Sequence, residues 1–175
     1  MLDLSFLLAL WWMVIVNNTY IKMGPPQLIV KKLHPDAKLP SKKRDSDEGY
    51  DIFCIEDFTI SPHCVVKAKT GISARVTPLF DFNRYQNKSY WLQIEGRSGL
   101  AIDNVYPVGG IIDQGYDGEI MVALINNNDD KGVTFSKGDK IAQLVIREHF
   151  NFPVAEVDDL GEVDRGDLGF GSSGR

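Results

Sequence analysis

Short apolar runs rich in β-branched residues follow one another from Gln27 to the end of the chain, with a spacing of about eight to twelve residues. Clusters of turn-forming residues separate them, for example at 61–62, 126–130 and 136–139. After Met23 there is no apolar stripe with helical periodicity that reaches about ten residues. This pattern predicts an all-β fold, such as a sandwich, jelly roll or barrel, and excludes alternating βαβ units.

The apolar runs define a set of candidate strands and one candidate helical turn. The turn is predicted near 98–102. The chain has 175 residues, which is enough for one compact domain with a substantial core but cramped for two. The candidate strands span residues 27–32, 50–53, 65–69, 72–76, 90–95, 109–112, 120–126, 133–135 and 140–147.

Charge and cysteine content exclude several classes of protein. With 19 Lys and Arg against 24 Asp and Glu, the formal net charge is −5, so general electrostatic binding to DNA or an anionic membrane is not expected. Cys54 and Cys64 are too few for a disulfide framework, and we expect both to be reduced, partly buried thiols. His34, His63 and His149 lack the spacing of a structural zinc site.

Residues 1–22 form an apolar leader that differs from the body of the chain. Its run 4–16, LSFLLALWWMVIV, is shorter than the roughly 20 residues of a membrane-spanning helix and lacks a basic start. Three interpretations stay open: an interfacial or signal-like anchor, an extra strand or helix packed on the body, or a start assigned upstream of the true one. We favour the last, because Met23 is followed by a segment that begins a domain cleanly.

The tail 161–175, GEVDRGDLGFGSSGR, cannot build a core of its own, and we expect it to be mobile until something binds it. It combines Arg165 and the hydroxyls of Ser172 and Ser173, which suit a phosphate, with Phe170, which suits stacking on a base. It is not a Walker A loop, because no Gly-Lys-Ser/Thr follows. The predicted organisation is therefore a leader (1–22), a β domain (23–160) and a C-terminal arm (161–175).

Two polar clusters lie at predicted strand ends. In GRSG (96–99), Arg97 offers a guanidinium fork and Ser98 a hydroxyl for an anion, although a surface arginine at a turn is an equal alternative. In GGIIDQGYDGEI (109–120), a β-hairpin places Asp113 at a strand end, where its carboxylate could face a pocket or simply form the turn.

A third cluster, KGDKIAQLVI (137–146), reads as a tight turn followed by a strand. Gln143 stands out in its apolar run. It is either a satisfied core glutamine or an amide that faces a ligand.

Taken in order, these clusters resemble the trimeric dUTP pyrophosphatase (dUTPase) family. Five motifs carry the resemblance: EGYDIF (48–53), GRSGLA (96–101), GGIIDQGYDGEI (109–120), KGDKIAQLVI (137–146) and RGDLGFGSSG (165–174). The resemblance covers nearly all of the chain beyond Met23. It implies a distorted jelly-roll or β-clip fold and a homotrimer with active sites between subunits, each closed by a neighbour's flexible C-terminal arm.

The resemblance also implies a reaction, the hydrolysis of dUTP to dUMP and pyrophosphate, which limits uracil incorporation into DNA and supplies dUMP for dTTP synthesis. Asp113 matches the aspartate that activates water for in-line attack on the α-phosphorus. Tyr116 matches the tyrosine that packs under the deoxyribose and excludes a 2′-hydroxyl. Backbone groups near Gly110 and Met121 match those that bind the uracil edge.

The remaining site residues are also assigned by resemblance. Asp51 matches an acidic residue that reaches a metal through water, and the metal is Mg²⁺ bound through the triphosphate with no direct protein ligand. Asp117 departs from the family, which frequently has Arg there, and this questions local salt bridges between subunits. The phosphate-contacting positions are Arg97, Ser98, Gly99 and Gln143, and those of the arm are Arg165, Phe170, Gly171, Ser172 and Ser173.

Two other functions stay open. A dCTP deaminase of the same fold would need a glutamate for proton transfer, for which Glu119 is the candidate. A nucleotide-responsive regulatory or binding protein on the dUTPase scaffold would give a role to the long loop 77–89. The expected partners are dUTP and further copies of the chain, with no nucleic acid and with membrane contact through the leader disfavoured. We expect an intracellular, soluble protein of the cytoplasm or nucleus.

Overall fold

The computed structural model describes residues 13–16, 19–22, 26–77, 80–81, 88–150, 152–159 and 161. Within these residues the chain is almost entirely β, with a single helix of five residues. The elements in chain order are β1 (Met13–Val16), β2 (Thr19–Lys22), β3 (Gln27–Lys32), β4 (Tyr50–Phe53), β5 (Phe58–Ile60), β6 (Val65–Lys69), β7 (Ile72–Thr77), β8 (Phe80–Asp81), β9 (Lys88–Glu95), α1 (Ser98–Ile102), β10 (Val105–Val108), β11 (Ile111–Ile112), β12 (Met121–Asn126), β13 (Val133–Phe135) and β14 (Lys140–Phe150).

The largest sheet is built around β14, which is 11 residues long. Its strand order is β11-β9-β14-β4, and β8 pairs with β9 in addition. A second sheet has the order β10-β12-β6, and two further strand pairs are β5-β13 and β3-β7. All these pairings are antiparallel, and most of them join strands that lie far apart in the sequence, as in a jelly roll.

The core forms where the alternating strand residues of these sheets face one another. In β12, for example, Val122 and Leu124 are fully buried while their neighbours point outward. The largest fully buried side chains outside β12 are Ile52, Ile60, Ile72, Val76, Val105, Ile120, Ile141 and Leu144.

Two polar side chains, Thr70 and Asn126, are also fully buried in the core, and Asn126 is the larger of the two. Its Nδ2 donates to the carbonyl oxygens of Ile60 at 2.9 Å and Lys131 at 2.8 Å, and its Oδ1 accepts the N–H of Asn128 at 3.0 Å. The amide thus has partners at both ends, which offsets the cost of its burial. It ties the end of β12 to β5 and to the turn that leads into β13.

The all-β prediction is confirmed, and so is the short helical turn at Ser98–Ile102. Five strands lie outside the predicted set: β1 and β2 of the leader, the two-residue β8 within the predicted loop 77–89, and the strands Phe58–Ile60 and Val105–Val108. Phe58–Ile60 is only three residues long, and Val105–Val108 contains Pro107, which argues against a strand. The proline is tolerated because β10 lies at the edge of its sheet, where a missing N–H leaves no neighbouring strand unpaired.

The first strand of the predicted hairpin is shorter than expected. It was predicted over 109–112 but spans only Ile111–Ile112. The reason is local, because Gly109 adopts a φ of +66°, which no extended strand contains. The two glycines therefore form the bend between β10 and β11.

The described part of the leader forms a β-hairpin. β1 pairs with β2 in antiparallel register from Met13↔Lys22 to Val16↔Thr19, and this pair forms a sheet separate from the others. Among the described residues, no helix has the length and apolar character needed to cross a membrane. The division into leader, β domain and arm stays a prediction, since 1–12 and 162–175 lie outside the described residues.

The two cysteines are free, as predicted, but their environments differ. Cys54 is buried and its Sγ donates to the carbonyl oxygen of Ser136 at 3.1 Å. Burial raises the pKa of the Cys54 thiol. Cys64 is exposed, which corrects the expectation of partial burial. It follows His63, whose φ of +56° turns the chain outward between β5 and β6.

We expect a single fast-reacting thiol in the folded protein. Ellman's reagent at neutral pH should modify Cys64 within seconds to minutes and Cys54 only on unfolding, because only the thiolate reacts and burial suppresses it at Cys54. The Cys64→Ser variant should lose the fast phase entirely. A fast phase that persists in this variant would contradict the buried position of Cys54.

Candidate active site

A carboxylate on β4, that of Asp51, contacts two cations. Arg97 Nε lies 3.1 Å from its Oδ1, and Lys140 Nζ lies 2.7 Å from its Oδ2. Burial of the side chain, which is 11% exposed, raises the pKa of Asp51. The hydrogen bond from Lys140 and the charge of Arg97 outweigh burial and lower the pKa below its ordinary value. Asp51 is therefore ionised at neutral pH and fixes both cations.

The pairing of β14 with β4 explains how these residues meet. Gln143 lies opposite Asp51, and Lys140 lies opposite Phe53. The register shifts between Lys140 and Ala142, as at a β-bulge, so Ile141 and Ala142 are both fully buried in succession. Because of this extra residue, Lys140 and Gln143 face the same side of the sheet although they are three positions apart.

Gln143 also lies opposite Glu95 of β9, on the other side of β14. Its side chain is half-buried against Gly49, where a Cβ atom would come within 2.9 Å of the Gln143 Cδ. A glycine at position 49 therefore makes room for the amide. Gln143 is therefore neither a core glutamine nor a freely exposed one.

Arg97 follows β9 and forms the N-cap of α1. Ser98 and Gly99, the first residues of this helix, are exposed. The first N–H groups of a helix have no partner within it and favour anions. We call Asp51, Arg97, Lys140 and Gln143 the Asp51 cluster. It is positively charged overall, since two cations face one carboxylate, and it lies beside these N–H groups.

A second group of predicted residues lines a cavity of about 230 Å³, which we call the hairpin cavity. Asp113, Tyr116 and Met121 all contribute to it, and Asp113 is exposed at the end of β11. The Asp113 carbonyl oxygen accepts the N–H of Tyr116 at 3.0 Å, which closes the turn between them. The other lining residues are Lys67, Ile111, Ile112, Glu119 and Ala123.

The ring of Tyr116 is held by its own loop. Its hydroxyl donates to the carbonyl oxygen of Glu119 at 2.9 Å. The ring lies over Gly118, where a Cβ atom would come within 2.5 Å of the Tyr116 Oη. Any side chain at position 118 would therefore displace the ring.

The same loop is anchored on the turn between β6 and β7. The Glu119 carboxylate accepts the N–H of Gly71 at 2.8 Å, and the Ile120 N–H donates to the Ile72 carbonyl oxygen at 2.8 Å. The buried hydroxyl of Thr70 donates to the Ile120 carbonyl oxygen.

Gly110, predicted to offer backbone groups, lies very close to β9. The Ile94 N–H donates to its carbonyl oxygen at 2.7 Å, and a Cβ atom on Gly110 would collide with the Ile94 carbonyl oxygen. Met121 begins β12 opposite Lys69 and its side chain is partly exposed at the cavity. The glycine is thus required for the narrow approach of the hairpin to the sheet.

The predicted residues therefore form two groups. The hairpin cavity contains Asp113, Tyr116 and Met121, and its lining does not include Arg97 or Gln143. The predicted arm residues Arg165, Phe170, Gly171, Ser172 and Ser173 lie outside the described residues.

Asp117, the departure from the family pattern, has a partner in its own chain. The Nη1 of Arg75 lies 3.5 Å from Asp117 Oδ1, and both side chains are exposed. An acid at this position is thus accommodated without a second subunit.

Sequence reasoning missed several residues that shape the site. Lys140 was part of a quoted motif but had no assigned role, because the bulge that aims it at Asp51 leaves no mark in the sequence. Gly118 and the Glu119–Gly71 contact were also missed. The run of small and polar residues at 115–119 marks a loop, but it does not show which backbone groups the loop contacts.

We expect Asp51 to stabilise the fold in a pH-dependent way. Asp51→Asn should lower the free energy of unfolding at pH 7 by about 1–2 kcal/mol, since its two cationic partners are partly exposed to solvent. The native pKa of Asp51 lies below the unfolded value of about 3.9. The contribution is therefore fully present above about pH 5, shrinks as the pH falls below the unfolded pKa, and is lost once the pH falls through the native pKa.

Urea denaturation of both proteins between pH 7 and pH 3 measures this effect. The difference in the free energy of unfolding between wild type and Asp51→Asn should be constant down to about pH 5 and shrink below about pH 4. Asp130→Asn, in an exposed turn, is the matched control. A difference that grows on acidification would contradict the ion-paired Asp51.

Comparison with known proteins shows which protein family the chain matches. A family model described as dUTPase matches residues 35–174. A protein of Clostridium tetani (strain Massachusetts / E88), named deoxyuridine 5'-triphosphate nucleotidohydrolase, is 40% identical over 151 residues, covering 85% of this chain and 97% of that protein. A protein of the same name from Helicobacter pylori (strain P12) is 35% identical over 148 residues, covering 83% and 94%.

Solved structures show the same architecture. The dUTPase of Staphylococcus bacteriophage 80alpha with dUPNHPP has a TM-score of 0.73 and 26% identity, covering 85% of this chain and 99% of that chain. A mutant dUTPase of phage phi11 of S. aureus, described with a structural Mg(II) ion, has a TM-score of 0.66, 23% identity and coverage of 78% and 99%. This second likeness concerns the fold alone.

Proposed function

The chain belongs to the dUTPase family, and from this premise we propose that it hydrolyses dUTP to dUMP and pyrophosphate at a site centred on Asp113. The observation that carries the proposal is the hairpin cavity, where Asp113 and the fixed ring of Tyr116 share one space. In a cell this reaction limits uracil incorporation into DNA and supplies dUMP for dTTP synthesis. Because dUTP belongs to the intracellular nucleotide pool, we place the enzyme inside the cell, in the cytoplasm or nucleus.

The hairpin cavity would hold the nucleoside. A ring that is fixed at its hydroxyl and seated on Gly118 makes a rigid wall, which suits Tyr116 to pack under the deoxyribose and leave no space for a 2′-hydroxyl. Backbone groups near Gly110 and Met121 would bind the uracil edge. The close approach of Gly110 to Ile94 supports a slot that is too narrow for a larger base.

The Asp51 cluster and the start of α1 would hold the phosphates. Arg97 uses its Nε for Asp51 and its Nη1 for the Lys140 carbonyl oxygen at 3.4 Å, so its Nη2 is the nitrogen that would meet a phosphate oxygen. Gln143, held beside Gly49, and the exposed Ser98 and Gly99 add neutral donors. This combination of charged and neutral donors suits a polyphosphate.

Asp113 would act as the general base. An exposed carboxylate at the cavity can accept a proton from a water molecule while that water attacks the α-phosphorus in line. The bond that breaks joins the α-phosphorus to the oxygen that bridges to the β-phosphorus, and pyrophosphate leaves. The proton stays on Asp113 until it passes to solvent.

We propose Mg²⁺ as the metal of the reaction, bound through the triphosphate. Mg²⁺ prefers oxygen ligands and is usually held by substrate phosphates and one or two carboxylates, which supports an ion carried by the triphosphate. Asp51, whose two oxygens already contact cations, would reach it only through water. When bound, Mg²⁺ neutralises phosphate charge.

We also propose a homotrimer with shared active sites. Among the described residues, the lining of the hairpin cavity does not include the Asp51 cluster, and a site shared between copies would bring the two together. The segment after β14 is strongly exposed although it is apolar, with exposures of 81% for Phe152, 101% for Val154 and 57% for Val157. Such a segment suits contact with a neighbouring copy. From there the arm residues Arg165, Phe170, Gly171, Ser172 and Ser173 would reach a neighbour's site.

The alternatives gain no support from the described residues. For a dCTP deaminase, Glu119 would have to move a proton at the base, but one of its carboxylate oxygens accepts the Gly71 N–H. For a regulatory protein, most of the loop 77–89 lies outside the described residues. Ammonia release from dCTP would favour the deaminase.

We expect the protein to release pyrophosphate from dUTP with Mg²⁺, and far less from UTP or dCTP. Asp113→Asn should lower kcat by about 10²- to 10⁴-fold, the usual contribution of a general base. The variant should still bind a non-hydrolysable dUTP analogue, because the amide keeps the shape of the carboxylate. Asp130→Asn is the control, and full turnover by Asp113→Asn would remove this residue from its role.

We expect the protein to sediment with the mass of three 19.6-kDa chains. Val154→Asp should shift it towards the monomer, since a charge would be buried at the contact, and dUTP turnover should fall with the loss of the trimer. Glu156→Gln, in the same segment, is the control. A wild-type monomer with full activity would refute the shared site.

A further inference from the structure

We infer that Glu119 is a positioning residue that sets the selectivity for deoxyribose over ribose by holding the ring of Tyr116. This inference rests on the proposed function, in which Tyr116 packs under the sugar. It adds a residue that borders the hairpin cavity, has no assigned substrate contact in that proposal, and acts by holding the ring. Glu119 is suited to this role because its main-chain carbonyl oxygen binds the Tyr116 hydroxyl and its carboxylate binds the Gly71 N–H.

The first contact is between Glu119 and the ring. The Tyr116 hydroxyl donates to the main-chain carbonyl oxygen of Glu119 at 2.9 Å. The position of that carbonyl depends on the backbone of residue 119, whatever its side chain. The ring is therefore held in place only if the stretch of backbone at residue 119 is itself held in place.

The second contact fixes this stretch. The Glu119 carboxylate accepts the N–H of Gly71 at 2.8 Å, in the turn between β6 and β7. A carboxylate that accepts a main-chain N–H forms a charge-assisted hydrogen bond, which is stronger than a neutral one. The side chain thus ties the loop 113–120, which we call the substrate loop, to the turn between β6 and β7.

The anchor itself is rigid. Gly71 has a φ of +67°, and a Cβ atom there would come within 2.9 Å of the His34 Cβ and 3.0 Å of the Ala37 Cβ. Its neighbour Thr70 is buried and bonds the Ile120 carbonyl oxygen. The position of the Gly71 N–H is therefore set by the packing of Gly71 against His34 and Ala37 and by the buried Thr70 beside it.

The ring, in contrast, is not fixed by burial. The Tyr116 residue is 41% exposed, so few neighbours resist its movement. The ring is held by its contact with Gly118 and by the hydrogen bond from its hydroxyl to the Glu119 carbonyl oxygen. Discrimination against ribose requires that no space for the 2′-hydroxyl opens beside the Tyr116 ring. A small displacement of this ring should therefore be enough to admit a ribonucleotide.

Steady-state kinetics with dUTP and UTP test the inference. In Glu119→Ala, the ratio of kcat/KM for dUTP to that for UTP should fall about tenfold, as expected for losing a charge-assisted hydrogen bond that fixes the ring. Most of the change should come from a higher KM for dUTP and increased use of UTP. The kcat for dUTP should change little, because Asp113 is untouched.

Two variants separate positioning from general stability. Glu119→Gln keeps an oxygen that accepts the Gly71 N–H, so it should retain the selectivity of the wild type. Thr59→Ala removes a hydrogen bond of 2.9 Å between the Thr59 and Thr134 hydroxyls in the β5-β13 pair, outside the loop that carries Tyr116 and Glu119. It should lose stability and keep the selectivity.

A double-mutant cycle tests the route through the ring. Tyr116→Phe removes the hydroxyl that binds the Glu119 carbonyl and should lower selectivity on its own. If Glu119 acts through this ring, adding Glu119→Ala to Tyr116→Phe should cost less than Glu119→Ala costs alone. Additive losses would overturn the inference.

The inference and the proposed function fail in different ways. If the wild type hydrolyses dUTP but Glu119→Ala keeps its selectivity, or Glu119→Gln loses it equally, only the inference falls. If the wild type does not hydrolyse dUTP, the proposed function falls. Hydrogen exchange of residues 113–120, which needs no activity, should speed up in Glu119→Ala and not in Glu119→Gln, and equal exchange in both would contradict the anchor.

Discussion

The pairing of β14 between β4 and β9 is the constraint on which the proposed phosphate half of the site depends. This one strand places Gln143 opposite both Asp51 and Glu95, and Arg97 follows β9 by two residues. The bulge near its start adds Lys140 to the same side. A one-residue slip of this register would turn these side chains towards the core, so the apolar core and the polar cluster determine the register together.

Electrostatics explains how an acidic chain can handle a highly charged anion. The net charge of −5 is spread over the whole surface, whereas the Asp51 cluster is a local excess of positive charge. The lowered pKa of Asp51 is part of this arrangement, because an ionised carboxylate holds Arg97 and Lys140 together against their mutual repulsion. The composition therefore excludes general binding of polyanions but not a specific site for one.

Much of the fold could be predicted from the sequence, because strand alternation and turn residues are local signals. Strands β3, β4, β6 and β13 have the predicted bounds. The failures are also physical: β10 contains Pro107, which only its edge position permits, and Gly109 shortens β11. For the site, the sequence motifs predicted roles for Asp113 and Arg97. No local pattern could show that a bulge places Lys140 against Asp51.

In the proposed site, the phosphate half and the nucleoside half depend on different kinds of interaction. The phosphate half uses side-chain charges held by a sheet register, and it tolerates small shifts because charge acts over several ångströms. The nucleoside half uses shape, with Gly110 and Gly118 admitting close contacts that any side chain would prevent. Shape fails at much smaller displacements than charge does. This is why the substrate loop needs an anchor as rigid as the Gly71 turn, and why that anchor lies in the core rather than in the loop.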